Sequence, residues 1–295
     1  MNDGVRELRP LVLRHWLAEY LCAAREAAGM NQGAAAKALA WSVSKLNRVE
    51  TAGVGIQMTD AKALLDLYGV TDADTVERVL TTAKRARRRD PFAPYRKFIS
   101  EPYDLLTSCE ASASRIWSVD TVVLPGLLQT RAYAHALLSV RHHGERLEAL
   151  LEARLVRRRL LDGGPHITFV LDEALLRRRI GGPRVFLEQL TQLHELASGP
   201  DIDVLVLPFT AGAHLGLWEP FMVMEIPGSP LADEPSEVVV YRESGDNDHV
   251  LWGADEQIPT YREGYRAAAA QALDPTRSLA LIAELRDGLA AELAD

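Results

Sequence analysis

The stretch WSVSKLNRVE, residues 41–50, decides how the front of this chain folds. Val43, Leu46 and Val49 recur every third residue, so the pattern predicts that they share the buried face of a short helix. The positions between them are polar and turn away from that face; they are Ser44, Lys45, Asn47 and Arg48. A polar outer face of this kind is typical either of a solvated surface helix or of a helix that reads DNA.

The residues before this helix have the spacing of a second helix that crosses it. A steep crossing through a tight turn needs a small residue at the contact, a small or flexible residue in the turn, and apolar residues facing back. Ala36 and Ala40 meet the first two requirements, and Leu46 and Val49 meet the third. Helical spacing and capping residues predict five helices over residues 1–90, which therefore form an all-α domain.

With these features the sequence resembles the lambda-repressor-like (Xre-type) helix-turn-helix family, on the segments AREAAGMNQ and WSVSKLNRVE and over residues 12–70. The resemblance implies a recognition helix at residues 42–50. It also implies a structural pair between Arg25, late in the first helix, and Glu50, at the end of the recognition helix. Ala40 stands where the family usually has glycine, and an alanine in a left-handed turn costs about 1 kcal/mol.

The complete helix-turn-helix spacing favours DNA reading over a solvated surface. Four side chains are expected to face base edges in the major groove: Val43, Ser44, Asn47 and Arg48. Arg48 suits a bidentate bond to guanine, and Val43 suits packing on a thymine methyl group. Lys45 is expected to contact phosphates through its ammonium group. The resemblance implies the same for Gln32, which stands at the family position that touches the DNA backbone and whose amide donates to a phosphate oxygen. Double-stranded DNA is the predicted partner.

The charge is unevenly spread along the chain. Residues 1–90 hold 14 Lys and Arg against 11 Asp and Glu, whereas the remainder holds 19 against 30. Only the front of the chain therefore suits a polyanion. The run KRARRR, residues 84–89, either complements the dipole of its own helix or contacts the DNA backbone, and we leave it out of the predicted site. Prolines 91 and 94 follow this run and indicate a domain boundary there.

Residues 95–295 have a mixed pattern, which predicts an α+β or α/β domain. Four short apolar runs are predicted to be strands: HITFVL, IDVLVLPF, FMVMEI and EVVVYRE. The stretch EPYDLLTSCEASASRIWS, residues 101–118, is predicted to be helical, and so is DEALLRRRIGG, residues 172–182.

Several phrases in this second domain resemble the domain of unknown function that follows the helix-turn-helix in actinobacterial antitoxin-like transcriptional regulators. They are LPGLLQTRAYAHALL at 124–138, VLDEALLRRRIGGP at 170–183, VLPFTAGAHLGLWEPFMVMEIP at 206–227 and VVYRES at 239–244. The resemblance implies a DNA-binding regulator that often works with a small partner protein encoded nearby.

An active site is not predicted in the second domain. His214 lies in a glycine-rich loop and could be combined into an acid–base or metal site with carboxylates from its own and other segments, namely Asp172, Glu173, Glu219 and Glu225. No catalytic, nucleotide-binding or metal-binding motif supports this. Cys22 and Cys109 are far apart and lack a zinc spacing. We therefore predict no enzyme activity, no metal and no cofactor. Aromatic and glycine-rich loops suit binding sites, so His214 and Trp218 are candidates for a ligand or partner pocket.

These features predict a cytoplasmic transcriptional regulator, with no membrane segment, that acts as a homodimer. Residues 1–90 would bind DNA, and residues 95–295 would provide dimerisation and the sensing of a ligand or partner protein. The alternative is an antitoxin-like protein-interaction module whose main role is to bind a small partner protein. Salt-dependent retention on DNA distinguishes the two.

Overall fold

The computed structural model describes residues 8–232, 234–244 and 248–295. Contacts between Cα atoms divide the chain into two units. The first comprises residues 1–93 together with residues 227–237, and the second comprises residues 94–226 and 238–295. The segment 227–237 lies far along the sequence from the rest of the first unit, and nothing in the sequence pattern predicted this grouping.

The described part of the first unit contains five α-helices. Their bounds are α1 Pro10–Ala27, α2 Gln32–Ala38, α3 Val43–Glu50, α4 Met58–Leu67 and α5 Ala73–Arg85. α1 begins with proline, whose missing N–H costs nothing at a helix start. Its apolar face is fully buried at Val12 and Leu21, and packs in a core that also holds Leu64 of α4. The unit is therefore all-helical, as predicted.

A six-stranded mixed sheet with helices around it makes up most of the second unit, although strand residues 227, 236 and 237 are grouped with the first unit. The strands are β1 Arg115–Asp120, β2 His166–Asp172, β3 Ile202–Leu207, β4 Phe221–Pro227, β5 Ser236–Arg242 and β6 His249–Leu251. Their order in the sheet is β3-β2-β1-β4-β5-β6. β1 and β3 both pair with β2 in parallel, whereas β1 pairs with β4 and β5 pairs with β6 in antiparallel fashion. With its helices this sheet makes an α+β domain, so the predicted fold class is confirmed.

Six α-helices accompany this sheet among the described residues. They are α6 Glu101–Ser112, α7 Arg131–Leu138, α8 Gly144–Arg158, α9 Pro183–Ala197, α10 Ile258–Gln271 and α11 Pro275–Glu292. α7 and α8 connect β1 to β2, and α9 connects β2 to β3. A crossover of this size is what a parallel pair requires, because the chain must return to the same end of the sheet.

In the second domain one predicted helix is too long and another is wrong. The stretch 101–118 does not stay helical: α6 ends at Ser112, and Arg115–Asp120 forms the central strand β1. Ile116 and Val119 are fully buried there, because the strand is covered by layers on its faces and by β2 and β4 at its edges. DEALLRRRIGG contains only a short 3-10 turn, Glu173–Leu176, which ends long before its two glycines.

Candidate nucleic-acid interface

α2 and α3 are two short helices joined by a tight turn, each started by a capping side chain. Asn31 Oδ1 accepts from the Ala34 N–H at 2.8 Å, and Ser42 Oγ accepts from the Lys45 N–H at 3.1 Å. Between them Ala40 adopts a left-handed conformation with φ of 53°, which explains why a small residue is needed at this position.

α3 presents two chemically different faces. Leu46 is fully buried and Val49 is 5% exposed, so these two residues hold the helix against the rest of the unit. Val43 is 50% exposed, and the expectation that it belongs to the buried face is wrong. It occupies the first position of the helix, where its side chain projects beyond the core. The exposed face consists of Val43, Ser44, Lys45, Asn47 and Arg48.

Arg48 and Lys45 differ in whether the charged group already has a partner within the protein. The Arg48 side chain forms no hydrogen bond or ion pair with any residue that the structure describes. Lys45 is already engaged within the protein: its Nζ lies 2.9 Å from Asp60 Oδ2 and 3.6 Å from the centroid of the Trp41 ring. The helix therefore offers one uncommitted guanidinium and one ammonium group that must leave a carboxylate to reach a phosphate.

A polar network connects the start of α2 and the end of α3 to α1. Arg25 Nε donates to Glu50 Oε1 at 2.8 Å, and their side chains are only 8% and 2% exposed. Gln32 Nε2 donates to Glu50 Oε2 at 2.8 Å, and Arg25 Nη1 donates to the Met30 carbonyl at 2.7 Å. Both carboxylate oxygens are thus satisfied inside the unit. Gln32, expected to contact a phosphate, keeps one amide hydrogen beyond the one that Glu50 accepts.

Burial of this network changes the acidity of its neighbours. Burial raises the pKa of Tyr68 to about 12, and the Glu50 carboxylate adds to the shift. The hydrogen bond to Glu50 raises the pKa of Arg25 above its ordinary value. Both shifts keep these two groups in their ordinary protonation states at neutral pH.

The other side of the α1–α3 contact is acidic. A cavity of about 440 Å³ there is lined by His15, Ala18, Glu19, Cys22, Ala23, Glu26, Glu50 and Thr51. Its three carboxylates offer no donor to a phosphate, and both oxygens of Glu50 are already bound by Arg25 and Gln32. A DNA backbone therefore fits the exposed face of α3 better than it fits this cavity.

The two residues predicted to line a pocket in the second unit lie in different environments. The His214 side chain is 3% exposed, with Nε2 3.5 Å from Asp172 Oδ2. Its Nδ1 is buried without a hydrogen-bond partner among the described residues. Trp218, in contrast, is 87% exposed. One side chain faces the interior and the other faces solvent.

Two protein-family models match the chain. A helix-turn-helix domain matches residues 16–78. A domain of unknown function, DUF5753, matches residues 103–284, which is more than half of the chain. The chain belongs to the DUF5753 family. No curated protein and no solved structure matches it.

The helix-turn-helix match suggests a DNA-binding regulator rather than an enzyme, whereas the DUF5753 domain has no assigned function. Across the described part of the chain, no three His, Cys, Asp or Glu side chains are grouped so that they could hold a metal ion. None of the helices that the structure describes is long and apolar enough to cross a membrane.

Two carboxylates considered with His214 have structural partners in the DUF5753 domain. Glu173 accepts from Arg177 Nε at 2.8 Å and from the Phe209 N–H at 3.1 Å. Glu219 accepts from Arg242 Nη2 at 3.0 Å and also from the Tyr261 hydroxyl. These contacts fix loops and helices in place.

Sequence reasoning missed two further polar groups of the DUF5753 domain. Arg157 and Glu110 form a bidentate buried pair, at 2.6 and 2.7 Å, although the arginine lies in a run that looks like a solvated helix face. Asp120 ends β1 and accepts from the Ser118 hydroxyl. Burial raises the pKa of Asp120 to about 8, against the lowering effect of the Ser118 hydrogen bond.

Asp60 was also missed, although it lies beside the proposed reading face. It follows Thr59 in the first turn of α4, where an acidic residue is common because it complements the helix dipole. Because this local role already explains Asp60, the sequence gave no reason to expect its contact with Lys45, which forms only when α4 packs next to α3.

Proposed function

We propose that this protein is a sequence-specific transcriptional regulator in which α3 enters the major groove of DNA. The observation that carries the proposal is the division of α3 into a buried apolar side and an exposed side with Arg48 uncommitted. Val43, Ser44, Asn47 and Arg48 would face base edges, and Lys45 and Gln32 would face phosphates. The basic balance of residues 1–90 favours the same partner.

We further infer that the helix-turn-helix is of the lambda-repressor-like Xre type found in actinobacterial antitoxin-like regulators. The network of Arg25, Glu50 and Gln32 supports this assignment, because it fixes the recognition helix with residues at the matching positions. A function on chromosomal DNA would place the protein in the cytoplasm. Within this proposal, the DUF5753 domain provides dimerisation and sensing.

The test is recovery of genomic DNA bound to the protein, followed by binding measurements on the recovered site. Arg48→Ala should weaken binding to the recovered duplex by about 1–3 kcal/mol and relax the preference at one base pair. Ser44→Ala is a matched change on the same exposed face, with a smaller expected effect because it removes no bidentate contact. If Arg48→Ala weakens recovered and scrambled duplexes equally, Arg48 does not read a base.

A small partner protein is a second proposal for the DUF5753 domain. Three large apolar side chains are exposed within one short segment: Phe209 at 59%, Leu217 at 57% and Trp218 at 87%. Exposed large apolar side chains favour protein contacts, because burying them in an interface removes apolar surface from water. Trp218→Ala should then abolish co-purification of a small protein encoded by a neighbouring gene, while DNA binding stays unchanged. Equal recovery of that small protein with the variant and with wild type would contradict the proposal.

A further inference from the structure

The sequence alone did not decide the role of the arginine-rich run at the end of α5, residues 84–89. α5 ends at Arg85, so Arg87 and Arg89 lie beyond its last turn. The attraction of a helix C-terminus for cations falls off within that turn. Complementing the helix dipole accounts for Lys84 and Arg85 but does not account for the two later arginines.

The backbone of this segment is fixed to the first unit. Ala86 is fully buried, its N–H donates to the Thr82 carbonyl at 2.8 Å, and its carbonyl accepts from Arg14 Nε at 3.0 Å. The backbone next to the following arginines is therefore held in a fixed position on the first unit.

Arg87 lies against the loop that follows α3. A Cβ atom at Gly55 would lie 3.2 Å from Arg87 Cγ, so the aliphatic stem of the arginine passes directly over this glycine. The same loop folds back on the helix, since the Val54 N–H donates to the Arg48 carbonyl at 3.3 Å. Arg87 therefore lies near the end of α3, and the short loop that holds Val54 and Gly55 lies between them.

The charged ends of both arginines are available. Arg87 and Arg89 are exposed, and neither guanidinium forms a hydrogen bond or ion pair with the residues that the structure describes. Cations beside a helix that lies in the major groove are placed to meet the phosphates on the walls of that groove.

We propose that Arg87 and Arg89 bind the phosphodiester backbone of duplex DNA next to the groove that α3 occupies. The inference rests on the proposed DNA-binding function and adds a second contact region to it. A guanidinium is suited to this task because its planar donors match two phosphate oxygens. The contact contributes affinity without reading sequence, because every base pair presents the same backbone.

The test measures binding of the full-length protein to a random-sequence DNA duplex, about three helical turns long, across a range of KCl concentrations. Log affinity falls with log salt concentration, and the double variant Arg87→Gln, Arg89→Gln should make this fall shallower. The magnitude of the slope should drop by about 1.8, because each lost phosphate contact removes about 0.9. Arg87→Lys with Arg89→Lys should retain most of the slope, since lysine also neutralises a phosphate.

The matched control is Arg262→Gln with Arg266→Gln, two exposed arginines on α10 whose loss changes the net charge equally. A normal slope in the Arg87→Gln, Arg89→Gln variant, with wild-type protein binding the duplex, overturns this inference and leaves the proposed function intact. An equal fall in slope for the control also overturns it, because the effect would then follow net charge. If wild-type protein does not bind duplex DNA at all, the proposed function falls together with the inference.

Discussion

Lys45 lies on the exposed side of α3, yet its ammonium group is paired inside the protein. Asp60 and the Trp41 ring hold it at 2.9 and 3.6 Å. Lys45 is 42% and Asp60 28% exposed, and an ion pair this open to water contributes only about 0–1 kcal/mol. A phosphate can therefore replace Asp60 as the partner of Lys45. The negative charge of Asp60 nevertheless repels the phosphate, whether or not Lys45 is still paired with it.

Asp60→Asn should strengthen binding to duplex DNA and steepen its salt dependence by about one unit of slope, because Lys45 is released and a repelling charge is removed. Fluorescence anisotropy with labelled duplex across salt measures both effects. Asp66→Asn is the matched control, because Asp66 lies on the same helix and pairs with Lys62 at 4.0 Å. Identical gains in the two variants would show that only net charge matters.

The protonation of Asp120 is altered by its surroundings in the DUF5753 domain. Burial raises its pKa to about 8; Ser118 and Arg157 oppose the shift and Glu243 adds to it. Because the folded-state pKa lies above the unfolded one, the stability contributed by protonated Asp120 is complete below about pH 4 and is lost as pH rises through about 8.

Asp120→Asn should therefore raise the melting temperature at about pH 8 relative to wild type, and the gain should shrink towards about pH 5. The amide keeps an acceptor for the Ser118 hydroxyl and carries no charge to desolvate. Thermal unfolding followed by circular dichroism across this pH range tests the expectation. A constant difference between the variant and wild type at every pH would contradict it.

Among the elements of the first unit, α1, α2 and α3 are joined by the Arg25–Glu50–Gln32 network. The Arg25–Glu50 pair is almost completely buried, so its net stabilisation is small although the loss of one partner is costly. The network therefore sets the orientation of α3 more than it sets the stability of the unit.

Arg25→Met or Glu50→Gln alone should lower the free energy of unfolding by about 3 kcal/mol, because each leaves a buried polar group without its partner. The double variant should lose clearly less than the sum of the two single losses. Urea denaturation of the three variants measures this coupling. Strictly additive losses would show that the two side chains stabilise the helices independently.

For the whole molecule, the small size of α3 predicts how the protein meets DNA. A helix of 8 residues covers few base pairs and makes too few contacts for tight specific binding by one copy. We expect two chains on a nearly palindromic site with half-sites about 34 Å apart, one helical turn.

Light scattering of the full-length protein alone and with its recovered DNA site measures this stoichiometry. Two chains should be found per duplex, and insertion of half a helical turn between the half-sites should weaken binding strongly, because the second α3 then faces the wrong side of the duplex. Unchanged affinity after that insertion would indicate binding by single chains.

Local periodicity was sufficient wherever a residue's role depends on its near neighbours. The capping of α3 by Ser42 and the burial of Leu46 and Val49 follow from spacing within a few residues, whereas the left-handed turn at Ala40 was implied by the family resemblance. Strands β2 to β5 were recognisable for the same reason, since each is a short apolar run with turns on both sides. β1 was not, because RIWSVD follows directly on a helical pattern and its burial comes from the strands on both sides of it.

The sequence by itself determined that the chain begins with a helix-turn-helix, that α3 has a polar outer face, and that a mixed α and β domain follows. Only the tertiary structure decided which charges on that face are free. Asp60 and Gly55 belong to other segments of the chain, and folding brings one of them to Lys45 and the other beneath Arg87. Helix and turn formation depends on interactions between neighbours in the sequence, whereas pairing and exposure of charges depend on which distant segments pack together.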